Sequence, residues 1–369
     1  MPKPSIHVLF ILEYYHPHVG GVETLFRSLV DSLLSQGHKV TILTNRFDDS
    51  PRREDRDGLR IRRFRYFNRY GFTFLSWIHG LYYAREADII HTTSYNAAVP
   101  ARFVAKLYSM PSVITFHEYW GDLWKTLPWI SPVGRVLFRW FENWISNFPF
   151  DRIVAVSDST KTALEKAGVP TTRLRRIYNG ISYDHFSSRA PQTKTDAFQF
   201  LFFGRPSYSK GVDLLIEALA TFDYSDRPLE FHFVFPSEST PILRVVLEQI
   251  GRLPHQDQIF ISYDLPIVQL QEKISSVDAV IIPSYSEGFC FAAVETMALG
   301  TPIISSGQGA LSEVVSGPHI TMNSFDAKGL SEAMESALNG QWSISKLKKF
   351  PINETVMAYE ALYREILDY

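Results

Sequence analysis

A short apolar run, a glycine-bearing loop and apolar residues at helical spacing follow one another twice along this chain, and few folds accept that order. In the first half His7–Glu13 suits a buried parallel strand. The loop Tyr14–Gly21 follows. Val22, Leu25, Phe26, Leu29, Val30 and Leu33 then fall at helical spacing until Gly37 stops the helix. Lys39–Thr44 reads as the next strand, and strand, helix, strand in this order requires a parallel sheet with a right-handed crossover. Further strands are expected at Asp88–Thr92, Ser112–Phe116 and Arg152–Ser157. The plan restarts with Phe198–Phe203 as strand, Gly204–Gly211 as loop and Val212–Ala220 as helix. Glu230–Phe235, Gln258–Ser262, Ala279–Pro283 and Pro302–Ser305 continue it. Between the halves, Ile177–Gly180 is a turn signal and Ser187–Thr195 is polar. The reading is two doubly wound α/β domains joined near residues 178–196. Glu354–Leu367 places Val356, Tyr359, Leu362, Tyr363 and Ile366 on one face of a terminal amphipathic helix.

A length of 369 residues suits two domains or three. With 45% hydrophobic and 21% charged residues, a collagen-like, low-complexity or disordered chain is excluded. No apolar run reaches the roughly 18 residues of a spanning helix, and His7–Leu12 is too short for a signal segment. The lone cysteine, Cys290, excludes an internal disulfide framework and a zinc site built from several cysteines, and it fits a reducing compartment. A cytoplasmic protein is expected.

Residues 1–178 hold 24 Lys and Arg against 16 Asp and Glu, whereas the remainder holds 13 against 23, so the first half invites an anionic partner. The densest basic stretch is Arg60, Arg62, Arg63, Arg65 and Arg69, with aromatics interleaved as far as Trp77 and no acid between Gly58 and Arg85. Arg60–Trp77 therefore reads either as a contact for an anionic membrane surface or as core aromatics beneath a solvated arginine face. Nucleic acid is not expected, because the whole chain is mildly acidic and carries no nucleic-acid-binding motif.

In open α/β sheets ligands bind at the carboxyl ends of strands, beside helix N-termini, so the strand-to-helix loops hold the candidates for chemistry. Gly204-Arg205-Pro206-Ser207-Tyr208-Ser209-Lys210-Gly211 joins a glycine that permits close backbone approach to two cations suited to a diphosphate. It lacks the P-loop order, and an ordinary turn with surface cations is the plain alternative. In Ser284–Glu295, Glu287 stands just before a helix and Glu295 about two turns in, where carboxylates accept bonds from sugar or ribose hydroxyls. Helix capping and a solvated face are the alternatives. Gly20-Gly21 opens the first helix and either faces an anion with its amides or makes a tight turn. GxGxxG is absent, and Thr44-Asn45 ends the second strand where a dinucleotide dehydrogenase has an acid. His117 at a strand end either donates to a ligand or is structural. No HExxH metal pattern occurs.

Taken together and in order, these residues resemble the retaining glycosyltransferases of family 4. The resemblance runs from Pro17-His18-Val19-Gly20-Gly21-Val22-Glu23 through Thr115-Phe116-His117, Val154–Ser157, Tyr178-Asn179-Gly180-Ile181, Gly204-Arg205 and Lys210-Gly211 to Pro283–Glu295 and Gly300-Thr301-Pro302. Its most specific element is Glu287-Gly288-Phe289 with Glu295 eight residues after Glu287. It implies a GT-B fold: two Rossmann-like domains facing a cleft, the last helix crossing back to the first domain. Residues 1–178 with helix 353–369 would form the acceptor domain, and 179–352 the nucleotide-sugar donor domain.

The resemblance also assigns roles. Arg205 and Lys210 would hold the donor diphosphate, Glu287 the sugar hydroxyls and Glu295 the ribose. Gly204 and the amides of Gly288, Phe289 and Cys290 would approach sugar and phosphate. His117 would face the reacting sugar carbon, and Gly20 and Gly21 would bring backbone to the phosphate and acceptor. The implied reaction moves a hexose from a UDP- or GDP-sugar to a glycan or lipid-linked acceptor in polysaccharide or glycolipid synthesis. It needs no metal or other cofactor. A sugar-nucleotide epimerase or hydrolase and a non-catalytic sugar-nucleotide binder remain as alternatives. This chain departs from the family's pattern at Cys290, commonly a second glycine, at Glu118, commonly small, and at Pro206, commonly aliphatic.

Overall fold

The computed structural model describes residues 4–18, 20–47, 50–186, 196–222, 228–238 and 240–368. It divides into two compact units. The first takes its residues from 1–125, 132–180 and 350–369, the second from 126–131 and 181–349.

Unit 1 opens with β1 (His7–Leu12), α1 (Gly21–Ser35) and β2 (Lys39–Asn45). β3 (Arg53–Arg56), β4 (Leu59–Phe64), α2 (Arg69–Ala84), β5 (Ile89–Thr93) and α3 (Ala98–Tyr108) follow. β6 (Ser112–Phe116), α4 (Pro132–Ser146), β7 (Arg152–Ala155), α5 (Asp158–Lys166) and β8 (Leu174–Arg176) complete its first part. The sheet order is β3-β4-β2-β1-β5-β6-β7-β8, parallel except for the hairpin partner β3. The central strands are buried on both faces, as expected of a sheet covered by crossover helices. Phe10, Phe26, Leu29 and Val40 pack on one face, and Phe72, Val104, Ile114 and Ile145 on the other.

Unit 2 repeats the plan. It contains β9 (Phe198–Phe203), α6 (Val212–Thr221), β10 (Leu229–Phe235), α7 (Pro241–Ile250), β11 (Ile259–Tyr263), α8 (Ile267–Ser276) and β12 (Ala279–Ile282). α9 (Phe291–Ala298), β13 (Ile303–Ser305), α10 (Leu311–Val314), β14 (Pro318–Thr321), α11 (Ala327–Leu338) and β15 (Ser343–Ile344) close it. Its order is β11-β10-β9-β12-β13-β14-β15, with only β15 antiparallel. A stacked Phe200–Phe231 pair at 5.2 Å and Phe233 fill its core.

The last helix, α12 (Ile352–Leu367), belongs to unit 1. Val356, Tyr359, Leu362 and Tyr363 join the cluster of Phe10 and Phe26. Both tyrosines reach the sheet: Tyr363 Oη lies 2.5 Å from His91 Nδ1, Tyr359 Oη 3.0 Å from Thr115 Oγ1, and Thr115 Oγ1 2.8 Å from His91 Nε2.

The strands expected from sequence form, with ends shifted by a residue or two. Arg152–Ser157 is cut at Ala155, because Ser157 turns to cap α5 and accepts from the Thr160 amide at 3.0 Å. The polar stretch Ser187–Thr195 lies outside the described residues. The basic aromatic segment Arg60–Trp77 is two elements, the end of a strand and the start of a helix. In β4 Arg60 pairs with Glu86, Arg62 with Asp55 and Arg63 with Glu54 at 2.5–2.8 Å, and the Arg63 side chain is only 1% exposed. These arginines are occupied by neighbouring carboxylates.

Candidate active site

In unit 2 the sheet order places β9 between β10 and β12, so the loops after these three strands neighbour one another. Gly204 leaves β9 at φ +125°, a conformation open to glycine. Gly211 enters α6 at φ +66°, and a Cβ there would collide with the carbonyl oxygen of Pro283 at the end of β12. The missing side chain thus lets the two loops touch. Tyr285 N donates to Ser209 O at 2.7 Å, and Tyr285 Oη to Asp213 Oδ2 at 2.8 Å.

This approach brings together residues 77 positions apart. Lys210 Nζ donates to both carboxylate oxygens of Glu287, at 2.7 and 2.9 Å. Glu287 is 7% exposed and also accepts from Ser284 Oγ at 2.7 Å. Its backbone is held from the β13 side. Ala310 N donates to Glu287 O at 2.8 Å, and a Cβ on Gly309 would stand 2.6 Å from that oxygen. Glu287 does not cap the following helix. That position belongs to Cys290, whose left-handed backbone (φ 72°, ψ 80°) is unusual for a side chain. Gly288, Phe289 and Cys290 are buried ahead of α9. Burial pushes the Cys290 thiol well above its ordinary range.

Glu295 lies just over one turn into α9, not two, because the helix starts at Phe291. Its side chain is half-buried, and loss of water raises its carboxyl to about 7. Arg205 has another carboxylate beside it. Its side chain is 47% exposed and lies 3.4 Å from Glu238, which follows β10. The two cations of the loop thus have different partners.

In unit 1, His117 follows β6 with both ring nitrogens buried and without a hydrogen bond, and its ring lies 5.9 Å from that of Phe26. Burial lowers its pKa to about 4, against a small opposing pull from Glu23, so the ring is neutral near pH 7. Gly20 precedes α1 in an extended conformation, and a Cβ on it would collide with Glu23 Oε2. Glu23 folds back over the start of its own helix, with Oε1 2.9 Å from His18 Nδ1. Burial works to raise its carboxyl, but the bonds from His18 and its own amide hold it below the usual range. The α1 N-terminus opened by Gly20 and Gly21 therefore already faces a carboxylate.

The sequence reading gave Ser284 no role of its own and missed Gly309 and Ala310, all of which hold Glu287; the glycines at 307 and 309 after a strand were the available signal. It also missed Glu13 at the end of β1. This buried carboxylate accepts from Asn96 Nδ2 at 2.7 Å and pairs with Arg69 at 3.4 Å. Among the described residues no group of three or more His, Cys, Asp or Glu side chains is placed to hold a metal ion.

The family model described as Glycosyltransferase Family 4 matches residues 19–185, and that described as Glycosyl transferases group 1 matches 185–354. The two meet at residue 185 and together span nearly the whole chain. It belongs to the group 1 glycosyltransferases of GT-B fold. An uncharacterised glycosyltransferase of Methanocaldococcus jannaschii is 25% identical over 82% of this chain and 80% of its own length. One component of the human phosphatidylinositol N-acetylglucosaminyltransferase is 23% identical over 90% of this chain and 68% of its own length. Among solved structures, sucrose-phosphate synthase from Thermosynechococcus elongatus superposes with a TM-score of 0.82, covering 98% of this chain and 99% of its own at 19% identity. This glycosyltransferase thus carries two Rossmann-like sheets, with the last helix packed on the first unit.

Proposed function

We propose that this glycosyltransferase takes a hexose from a UDP- or GDP-sugar held by unit 2 and moves it, with retention and without a metal, to a glycan or lipid-linked acceptor held by unit 1. The Lys210–Glu287 pair supports this reading most directly. A buried carboxylate and a cation fixed together suit a ligand that is itself part polyol and part anion. When the donor arrives, Lys210 exchanges carboxylate for diphosphate and Glu287 exchanges ammonium for sugar hydroxyls. Neither charge is then left buried and unpaired, which would cost several kcal/mol (roughly 3–5).

Breaking the anomeric bond puts negative charge on the diphosphate and positive charge on the sugar ring. Lys210, Arg205 after release from Glu238, and the amides ahead of α9 would stabilise the leaving group. One preorganised donor of this kind contributes on the order of 3 kcal/mol. Several of them supply a sizeable part of a barrier reduction of ~8–23 kcal/mol. In the retaining step the acceptor oxygen bonds the anomeric carbon from the leaving-group face as the carbon–phosphate-oxygen bond breaks, and a phosphate oxygen takes the acceptor's proton. His117, neutral and without a hydrogen bond, would donate to a sugar hydroxyl, and Glu295 would accept from the ribose. An anionic membrane surface is the place where a lipid-linked acceptor would be met, and the human relative named above supports that class of acceptor by its name.

Lys210→Ala and Arg205→Ala are expected to lower kcat/KM for the sugar nucleotide by about tenfold or more, and the activity should persist in EDTA. Wild-type rates in both variants would reject the assigned roles. Release of free sugar at the full rate without acceptor would favour a hydrolase.

A further inference from the structure

We propose that the outer faces of α2, α3 and α4 form a docking surface for an anionic lipid bilayer. The proposal deepens the membrane part of the functional reading and rests on it for its purpose, but its surface lies wholly within unit 1. The connections β5–α3–β6 and β6–α4–β7 step in one direction across neighbouring strands, so right-handed crossovers put both helices on one face of the sheet. Phe72 of α2, Val104 of α3 and Ile145 of α4 share that face's core. α2 and α3 also touch directly. The Trp77 and Phe103 rings lie 4.8 Å apart, and Tyr108 Oη donates to Leu81 O at 2.9 Å.

The buried residues account for the inner sides of these helices. The outer sides are apolar too. Among the described residues of the whole chain, 14 of 24 exposed large apolar side chains lie on α2, α3 and α4. The helices of the opposite layer, α1 and α12, hold one, Met357. On α4, Leu137, Trp140 and Trp144 recur at helical spacing, with Trp140 61% exposed, and Trp140 stacks on Trp144 at 5.8 Å. Phe74, Ile78 and Tyr82 recur at the same spacing on α2, and Phe103 and Leu107 on α3, all exposed. A soluble monomer rarely leaves a layer of this kind uncovered.

Charge selects the occupant. The three helices carry Arg69, Arg102, Lys106, Arg135 and Arg139, and their one acid is Glu142. Glu142 is fully buried, accepting from the amides of Trp120 and Gly121, from Tyr95 Oη and from Trp124 Nε1. At the border, Asp122 is paired with Lys125 and Arg139, and Glu86 with Arg60. Cations, interfacial aromatics and apolar stripes without an exposed helix carboxylate match a leaflet of anionic lipid. A second copy fits less well, because two-fold pairing would set like charges against one another. At 15 and 16 residues, α4 and α2 are too short to span, and no helix among the described residues is long and apolar enough to cross a membrane. They would lie in the plane of the interface.

The test is flotation of the full chain with phosphatidylcholine vesicles, with and without phosphatidylglycerol, at low and high salt. Binding is expected to the anionic vesicles, weakening as salt rises. The pairs Trp140→Ser with Trp144→Ser, and Phe74→Ser with Ile78→Ser, should each lower partitioning by about tenfold or more, and Met357→Ser should leave it unchanged. Unaltered melting would show that each variant folds. No flotation with anionic vesicles at low salt would overturn the proposal, as would flotation indifferent to both pairs. A dimer by light scattering that the same substitutions dissolve, without vesicle binding, would assign the surface to a second copy instead. A sugar-nucleotide thermal shift that survives in the variants separates failure of the docking surface from failure of the transferase reading.

Discussion

Cys290 shows what one side chain costs the loop ahead of α9. Its backbone is left-handed, where a Cβ meets the following carbonyl at a penalty of about 1–2 kcal/mol. The buried thiol offsets part of this by packing. Cys290→Gly should therefore leave stability within about 1 kcal/mol of wild type, whereas Cys290→Val should cost about 2 kcal/mol or more, because a branched Cβ tolerates this region least. Urea unfolding of the two variants checks the order, and equal costs would refute the strain argument. Glu295 gives a pH test. Its carboxyl is raised to about 7 by burial, so the folded state holds the proton more tightly than the unfolded state. Stability from this group is complete below the ordinary carboxylate range and is lost as pH rises towards 7. Glu295→Gln should remove that slope, reducing the drop in stability between pH 5 and pH 8 by about 1 kcal/mol after allowance for partial exposure. An unchanged drop would place the carboxyl in water. Both residues were visible in the sequence as candidates. Their backbone angle and burial were not, since each depends on chain far away.

Among the elements, α12 carries the clearest long-range dependence. Its periodicity was readable, and so was its apolar face. What that face covers was decided by packing: Tyr359 and Tyr363 are fully buried and bonded to Thr115 and His91 on β6 and β5. Tyr363→Phe should cost about 1–3 kcal/mol by leaving His91 Nδ1 buried without its partner. Tyr363→Ala should cost more, about 3–5 kcal/mol, through the cavity. Thermal melts of the full chain would check both, and a neutral Tyr363→Ala would contradict the packing. β4 makes the opposite case. The arginines of Arg60–Phe64 read from sequence as part of a basic stretch facing an anionic membrane or solvent, but the hairpin with β3 supplies Glu54 and Asp55 as partners. Charge density along the sequence carried no information on which carboxylates the fold would bring alongside.

At the scale of the molecule, the two units have separate cores, each organised around its own sheet. A ligand that binds folded unit 2 raises its stability by RT ln(1 + [L]/Kd), about 2.7 kcal/mol at one hundred times Kd. A thermal-shift panel of UDP-, GDP- and ADP-sugars on the full chain should therefore single out the donor. Lys210→Ala should shrink the shift, and an equal shift in that variant would remove Lys210 from the diphosphate.

By itself the sequence determined the class of fold, the twofold βα plan and the loops on which chemistry can sit. These follow from short-range spacing, two residues per strand repeat and 3.6 per helical turn, which each segment carries without its neighbours. Tertiary structure alone decided that Lys210 meets Glu287 across 77 residues, that Arg205 turns to Glu238, and that the arginines of β4 are neutralised. It also decided that the outer sides of α2, α3 and α4 stay uncovered. Each of those outcomes depends on which strands become neighbours and which surfaces lose water, and only the folded sheet sets that order.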